Sequence, residues 1–187
     1  MKIVAVGQEF YIDDVTENRV EYIFSIIDQV AKDHSLIFTG LKIDGEEFYE
    51  QLPEVINNNL DNIKVIEAIL KTEKQLSIDT LYSIHSYVRK SLPVLPTLVD
   101  EMYETTVSPG AWEKLVLFIE GLQWIQTTSL YIESYQSMLD FSEELENFNS
   151  AVLQKDNTYI GDIIHYEIIP RYQEIKDTLT KDLHEVS

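Results

Sequence analysis

Near residue 72 the chain changes its hydrophobic pattern, and that change limits the folds open to it. Before it lie short strand-like segments bounded by turn signals. From Glu73 onward no strand signal of any strength occurs, and apolar residues recur at spacings of three and four. The 187 residues therefore read as an α+β protein of two units, a small mixed sheet over 1–72 and an all-α three- or four-helix bundle over 73–187. Thr72 to Ser77 contains no glycine or proline, so no flexible linker is expected at the junction.

Residues 2–6 read as a strand, Gly7-Gln8 as a two-residue turn and residues 9–12 as the return. Asp14 is expected to cap a helix over 15–33, with Glu17 completing a capping box. Val20, Ile23, Phe24, Ile27, Val30 and Ala31 give that helix one apolar stripe. Residues 35–43 are β-rich, Asp44-Gly45 signals a turn, and 46–49 return. Pro53 opens a short helix reaching Asn57-Asn58-Asn59. Residues 63–70 form the last strand, with Ile66, Ala68 and Leu70 on one face. Gly7-Gln8-Glu9-Phe10-Tyr11 is echoed by Gly45-Glu46-Glu47-Phe48-Tyr49, which reads as hairpin chemistry used twice rather than as a duplication.

The order strand, strand, helix, strand, short strand, short helix, strand is that of a β-grasp domain. Within it, Leu36-Ile37-Phe38-Thr39-Gly40, followed by Asp44-Gly45 and Tyr49, resembles the Leu-Ile-Phe-Ala-Gly, Asp-Gly and Tyr stretch of the ubiquitin family. Ile69-Leu70-Lys71 is similar to that family's last strand. The resemblance spans residues 1–72 and implies a β-grasp-like domain with a partner-binding face centred on Ile37 and Ile69. An apolar pair there is expected to be covered either by the helical half of the chain or by a separate partner. No Gly-Gly follows the last strand, so conjugation chemistry is not expected. A ferredoxin-like βαββαβ unit is the competing topology, and the first hairpin argues against it.

In the second unit Leu81, Ile84, Val88, Leu95, Leu98 and Met102 keep a heptad-like spacing, interrupted by Pro93 and Pro96. An interior proline costs a helix about 3 kcal/mol, so two pieces or a sharp kink are expected near Ser91. Ser108-Pro109 is a cap and first-turn proline opening a further helix. That helix runs on toward 154 or breaks near 127–129 or 134–137. A last helix over 158–185 is expected to kink at Pro170. Residues 115–119 and Trp124 make the 109 helix apolar around most of its circumference, as for a bundle centre or half a dimer interface. Trp112, Phe118 and Trp124 are accordingly the expected protein-binding residues there, and the eight tyrosines of this half suit half-buried seams.

Composition excludes more than it assigns. There are 14 basic against 33 acidic residues, net −19, with each half acidic in its own right, so neither nucleic acid nor an anionic membrane is an expected partner. The absence of cysteine removes disulfide, thiol and zinc-knuckle chemistry and makes a reducing cytoplasm the expected compartment. No apolar run approaches a membrane span. Asp162 and His165, at i and i+3 beside Glu167, are the one ligand pair at helical spacing; with no Glu-x-x-His anywhere they are weak candidates, and no metal or cofactor is expected. Nucleophile-elbow and phosphate-loop motifs are absent. The expectation is a non-catalytic protein-interaction module, an adaptor or scaffold, forming a homodimer through its helical half. The rivals are a chaperone for a helical export substrate and an enzyme or small-ligand binder with a site between the halves.

Overall fold

A two-residue hairpin turn matches strand twist when both central residues take positive φ. Val6 (φ 50°) and Gly7 (φ 74°) do so between β1 (Lys2–Ala5) and β2 (Gln8–Tyr11). The turn thus sits one residue earlier than the expected Gly7-Gln8. Moving it by one shifts the pairing by two, so the same residues face inward, with Ile3 now opposite Phe10. The second hairpin, β3 (Ile37–Ile43) to β4 (Glu46–Phe48), turns at Asp44-Gly45 as expected. The Asp44 carboxylate accepts the Val65 N–H at 2.9 Å, fixing the start of β5 (Val65–Lys71). The sequence echo has a structural counterpart. Tyr11 donates to Glu9 at 2.8 Å and Tyr49 to Glu47 at 2.5 Å, while Phe10 and Phe48 pack inward.

The computed structural model describes residues 1–13 and 18–185. The expected Asp14 and Glu17 capping box lies outside the described residues. Two units are distinguished, Met1–Leu76 and Ser77–Ser187. In the first, the sheet order is β2-β1-β5-β3-β4, with β1 parallel to β5 and the other pairs antiparallel. This is the β-grasp-like arrangement that the element order predicts. α1 (Arg19–Asp33) lays Ile23, Ile27, Val30 and Ala31 on the sheet, and α2 (Leu52–Asn59) adds Ile56. A bulge at Thr39 resets the alternation of β3. Phe38 therefore turns in, meeting Phe24 edge-to-face at 6.0 Å, alongside Ile66, Ala68 and Leu70. Ile37 and Ile69 belong to the opposite face, Ile37 exposed and Ile69 half-buried.

α3 (Glu73–Ser91) begins directly after β5, held by a reciprocal box: Gln75 N–H donates to Thr72 Oγ1 at 3.2 Å and Thr72 N–H to Gln75 Oε1 at 2.9 Å. Prolines then set α4 (Leu95–Met102) apart, and Ser108 caps α5 (Pro109–Ser129) by accepting the Ala111 N–H at 3.1 Å. The 109 helix breaks after Ser129, so α6 (Ser142–Gln154) is separate, ending at Lys155 with φ 55°. The bundle is thereby divided more finely than three or four rods. The final helix runs as α7 (Asn157–Asp162), a π-helical turn (Ile163–Ile168) and α8 (Ile169–Glu185). Pro170 lacks an N–H and crowds the carbonyl four residues back. The wider turn accommodates it, with Ile169 N–H donating to Ile164 O five residues back, and the chain stays helical throughout.

Tyr172 is fully buried at the middle of this core, edge-to-face with Phe141 (5.8 Å), Phe118 (6.1 Å) and Tyr87 (6.5 Å). Its hydroxyl makes no hydrogen bond of ordinary geometry, and burial, with the Tyr87 hydroxyl beside it, holds its pKa far above the usual phenol value. Next to it, Arg171 donates to the carbonyls of Ser137, Met138 and Asp140, pairs with Glu144 on α6 and lies over the Phe141 ring at 4.4 Å.

Val6→Asn places a residue tolerant of positive φ in an exposed Asn-Gly turn and should raise stability by about 1 kcal/mol in urea unfolding. Arg171→Lys keeps the charge but loses the planar fork, and should cost about 3 kcal/mol; a loss below about 0.5 kcal/mol would show that those carbonyls need no such donor.

Candidate functional site

α5 is apolar on two sides, and the fold uses them differently. Ala111, Leu115, Phe118, Leu122 and Ile125 face inward. Val116, Leu117 and Trp124 face out, Leu117 with 67% of its surface exposed. Phe118, expected among the protein-binding residues, lies on the inward side. It is a core residue, edge-to-face with Phe148 and Tyr172, and only its margin reaches a groove. At about 100° per residue, the neighbour Leu117 takes the outward position instead. Trp112 is half-buried against the core. Trp124 stands partly exposed, edge-to-face with Tyr87 at 5.9 Å.

The groove runs between α3, α4 and α5 and encloses about 470 Å³. Tyr87 and Phe118 line it, with Val94, Leu95 and Leu98 from the far side and Leu117 and Lys114 from α5. Lys114 is held by Glu101 at 2.6 Å. Gly121 makes the Tyr87 wall possible. A Cβ there would lie 1.7 Å from the Tyr87 hydroxyl oxygen and 2.2 Å from the ring carbon bearing it. The hydroxyl approaches Phe118 O at 3.5 Å, and burial raises its pKa. A lone glycine inside a helical pattern is the signal that could have revealed this close approach.

Asp162 and His165 do not line this groove. Asp162 accepts a 2.7 Å hydrogen bond from Tyr103, whose pKa that bond raises to about 12. His165 is exposed and stacked edge-on to Tyr166 at 4.5 Å. Asp162 thus joins the last helix to the end of α4, and among the described residues no group of three or more His, Cys, Asp or Glu could hold a metal. Ile37 and Ile69 remain on the outer sheet face of the first unit. Among the described residues no helix is long and apolar enough to cross a membrane.

Residues 79–178 match the model of a family described as a domain of unknown function, DUF8042. The chain belongs to this family. No curated protein and no solved structure matches the chain. The matched span of the DUF8042 domain takes in α4 to α7 entire, with most of α3 and part of α8, so every residue lining the groove falls inside it.

Gly121→Ala should push Tyr87 out of its notch, cost about 1–3 kcal/mol in thermal unfolding and shift the emission of Trp124 in a Trp112→Phe background. Unchanged stability together with unchanged emission would show that Tyr87 does not depend on Gly121.

Proposed function

We propose that the chain is a non-catalytic protein-interaction module, an adaptor or scaffold, whose DUF8042 domain receives an amphipathic helix of a partner in the groove between α3, α4 and α5. The carrying observation is the exposed apolar set Val94, Leu117 and Trp124 beside that groove. Clustered exposed apolar side chains of this size mark binding surfaces, and a groove of this kind takes helix side chains at i, i+3, i+4 and i+7. Charge chooses the partner's other face. Residues 92–170 hold thirteen acidic and two basic side chains, so a helix with basic flanks is attracted and a second copy of this chain is repelled. Sheathing the helix of an export substrate is one form of the same activity. A reducing cytoplasm suits a chain without cysteine.

The N-terminal unit fits this reading. Its resemblance to the ubiquitin family is supported by the β2-β1-β5-β3-β4 order with β1 and β5 parallel, and by Ile37 and Ile69 on the outer sheet face. Tyr49, exposed and packed over Gly40 opposite Ile69, extends that apolar face.

The test is a titration of the full chain, in a Trp112→Phe background, with an amphipathic Leu/Lys helical peptide, its scrambled isomer and a Leu/Glu analogue. The ordered Leu/Lys peptide should bind about tenfold tighter than the isomer, with Trp124 emission moving to the blue, and Leu117→Asp should remove that difference at unchanged melting temperature. Equal binding of both isomers would overturn the groove as the site. Light scattering that shows a dimer dissociated by Leu117→Asp would assign the groove to a second copy instead.

A further inference from the structure

With 33 acidic residues to 14 basic, a place where cations gather stands out. One lies in a cleft of about 500 Å³ between the second half of α3 and the end of α8. His85, Arg89 and Lys90 enter it from α3 and His184 from α8, with the hydroxyls of Ser86 and Thr180 between them. Residues 82, 85, 86 and 89 share one face of α3 by helical spacing. Among the described residues none of these four cationic or ionisable nitrogen side chains forms an ion pair. Two acids of α8 among the described side chains are engaged: Asp177 with Gln173 and Lys176, and Asp182 as acceptor from Tyr135 at 2.8 Å.

We propose that this cleft binds a small phosphate-type anion carried on an apolar or aromatic body. The helix dipole favours a cation in the last turn of each helix, which suits Arg89, Lys90 and His184, but it does not require them to converge on one cleft with two hydroxyls. Phosphate recognition uses that combination, since guanidinium, ammonium and imidazolium donate charge-assisted hydrogen bonds and the Ser86 hydroxyl completes the shell, while Thr180 orients His85. Tyr82 and Leu183 line the same cleft, and supply the apolar surface for the body of the ligand. The net charge of −19 repels an extended polyanion such as nucleic acid, which keeps the ligand small.

The hydrogen bonds at His85 define how the site would take up a proton. Thr180 donates its one hydroxyl hydrogen to Lys176 O at 2.6 Å, so its oxygen accepts from His85 Nε2–H at 2.9 Å. A second proton must then go to Nδ1. Partial burial, then the charges of Arg89, His184 and Lys176, lower the His85 pKa. Among the described side chains, Tyr82, Arg89 and Lys90 on α3 and Lys176 and His184 on α8 are the titratable groups around it; the carboxylates of Asp177 and Asp182 are occupied as described. A bound anion offsets the repulsion, so by linkage it raises the His85 pKa and binds more tightly as the pH falls.

The chain has four histidines, and two lie outside the cleft: His34, beside Gln8 at 3.3 Å in the first unit, and His165. Their ring resonances serve as internal controls in a carbon-proton NMR titration of the full chain with phenyl phosphate, inorganic phosphate and benzyl alcohol. Phenyl phosphate at pH 6.5 should give saturable shifts at His85 and His184 alone, bind several-fold tighter than at pH 8, and raise the His85 titration midpoint. Arg89→Gln with Lys90→Gln, both at exposed positions, should weaken it about tenfold at unchanged melting temperature. Shifts that fail to saturate, that appear equally at His34 and His165, or that survive the double substitution would overturn the site. Equal affinity for inorganic phosphate would assign it to the free ion and overturn the organic ligand. Equal shifts with benzyl alcohol would overturn the anion altogether.

Discussion

One guanidinium organises the segment between α5 and α6. From Leu130 to Phe141 the chain has no regular element except a 3₁₀ turn at Glu133–Tyr135, so its carbonyls lack helical donors. Buried or half-buried carbonyls without partners are costly. Arg171 supplies three of them from α8, Glu144 offsets its charge, and Phe141 receives its flat face. Lysine has neither the fork nor the plane for this. Gln126 adds a second tie by accepting the Phe141 N–H. Phe141 then abuts Tyr172, Tyr172 abuts Tyr87, and Tyr87 abuts Trp124, at centroid distances of 5.8, 6.5 and 5.9 Å. The groove wall therefore stands at the end of a file of rings whose first member Arg171 holds in place.

What could be read from the sequence was what depends on near neighbours. Asp44-Gly45 makes its turn because the dipeptide alone satisfies two positive φ values, and Ser108-Pro109 starts α5 because cap and first-turn proline act within four residues. The Val6-Gly7 turn was misplaced by one because Gly can serve as the first or the second turn residue, and a β-branched Val at φ 50° gives no local sign of its role. The sequence predicts a kink in place of the π-helical turn, since Pro170 announces a disturbed ladder but not how the turns before it relax. The all-round apolar character of α5 was legible, but its inward side was not. Contacts of Phe118 with Phe148 and Tyr172, thirty and fifty-four residues away in the chain, decide that. The cleft was invisible for the same reason, since Arg89 and His184 meet only when α3 and α8 lie side by side.

The charges of the helical unit are sorted along the sequence in a way that matches its two surfaces. Residues 92–170, which include α4 to α7, hold thirteen acidic and two basic side chains, whereas α3 and α8 together hold six acidic and six basic side chains and two histidines. Screening confines such fields to about 10 Å at ordinary salt, so each surface feels mainly its own residues. An acidic chain can thereby keep a local cationic cleft, and the surplus of carboxylates elsewhere discourages self-association there.

α3 belongs to both surfaces and has a weaker single apolar stripe than a simple bundle helix for that reason. Leu81, Ile84 and Val88 face the core, Tyr82, Ser86 and Arg89 face the cleft, and Tyr87 and Ser91 face the groove. Each set recurs at helical spacing, and the three divide the circumference between them. A ligand at one surface can influence the other only by shifting an element that has two arrangements. Here Ile84 and Val88 have no exposed surface, and Leu81 has 5%, which pins α3 by close packing that tolerates little displacement. Side-chain movement is the remaining route, and the residues of the two outer faces point to opposite sides of the helix. The two surfaces are thus built to act independently: on this reading a helix bound in the groove would leave the affinity of the cleft for an anion unchanged.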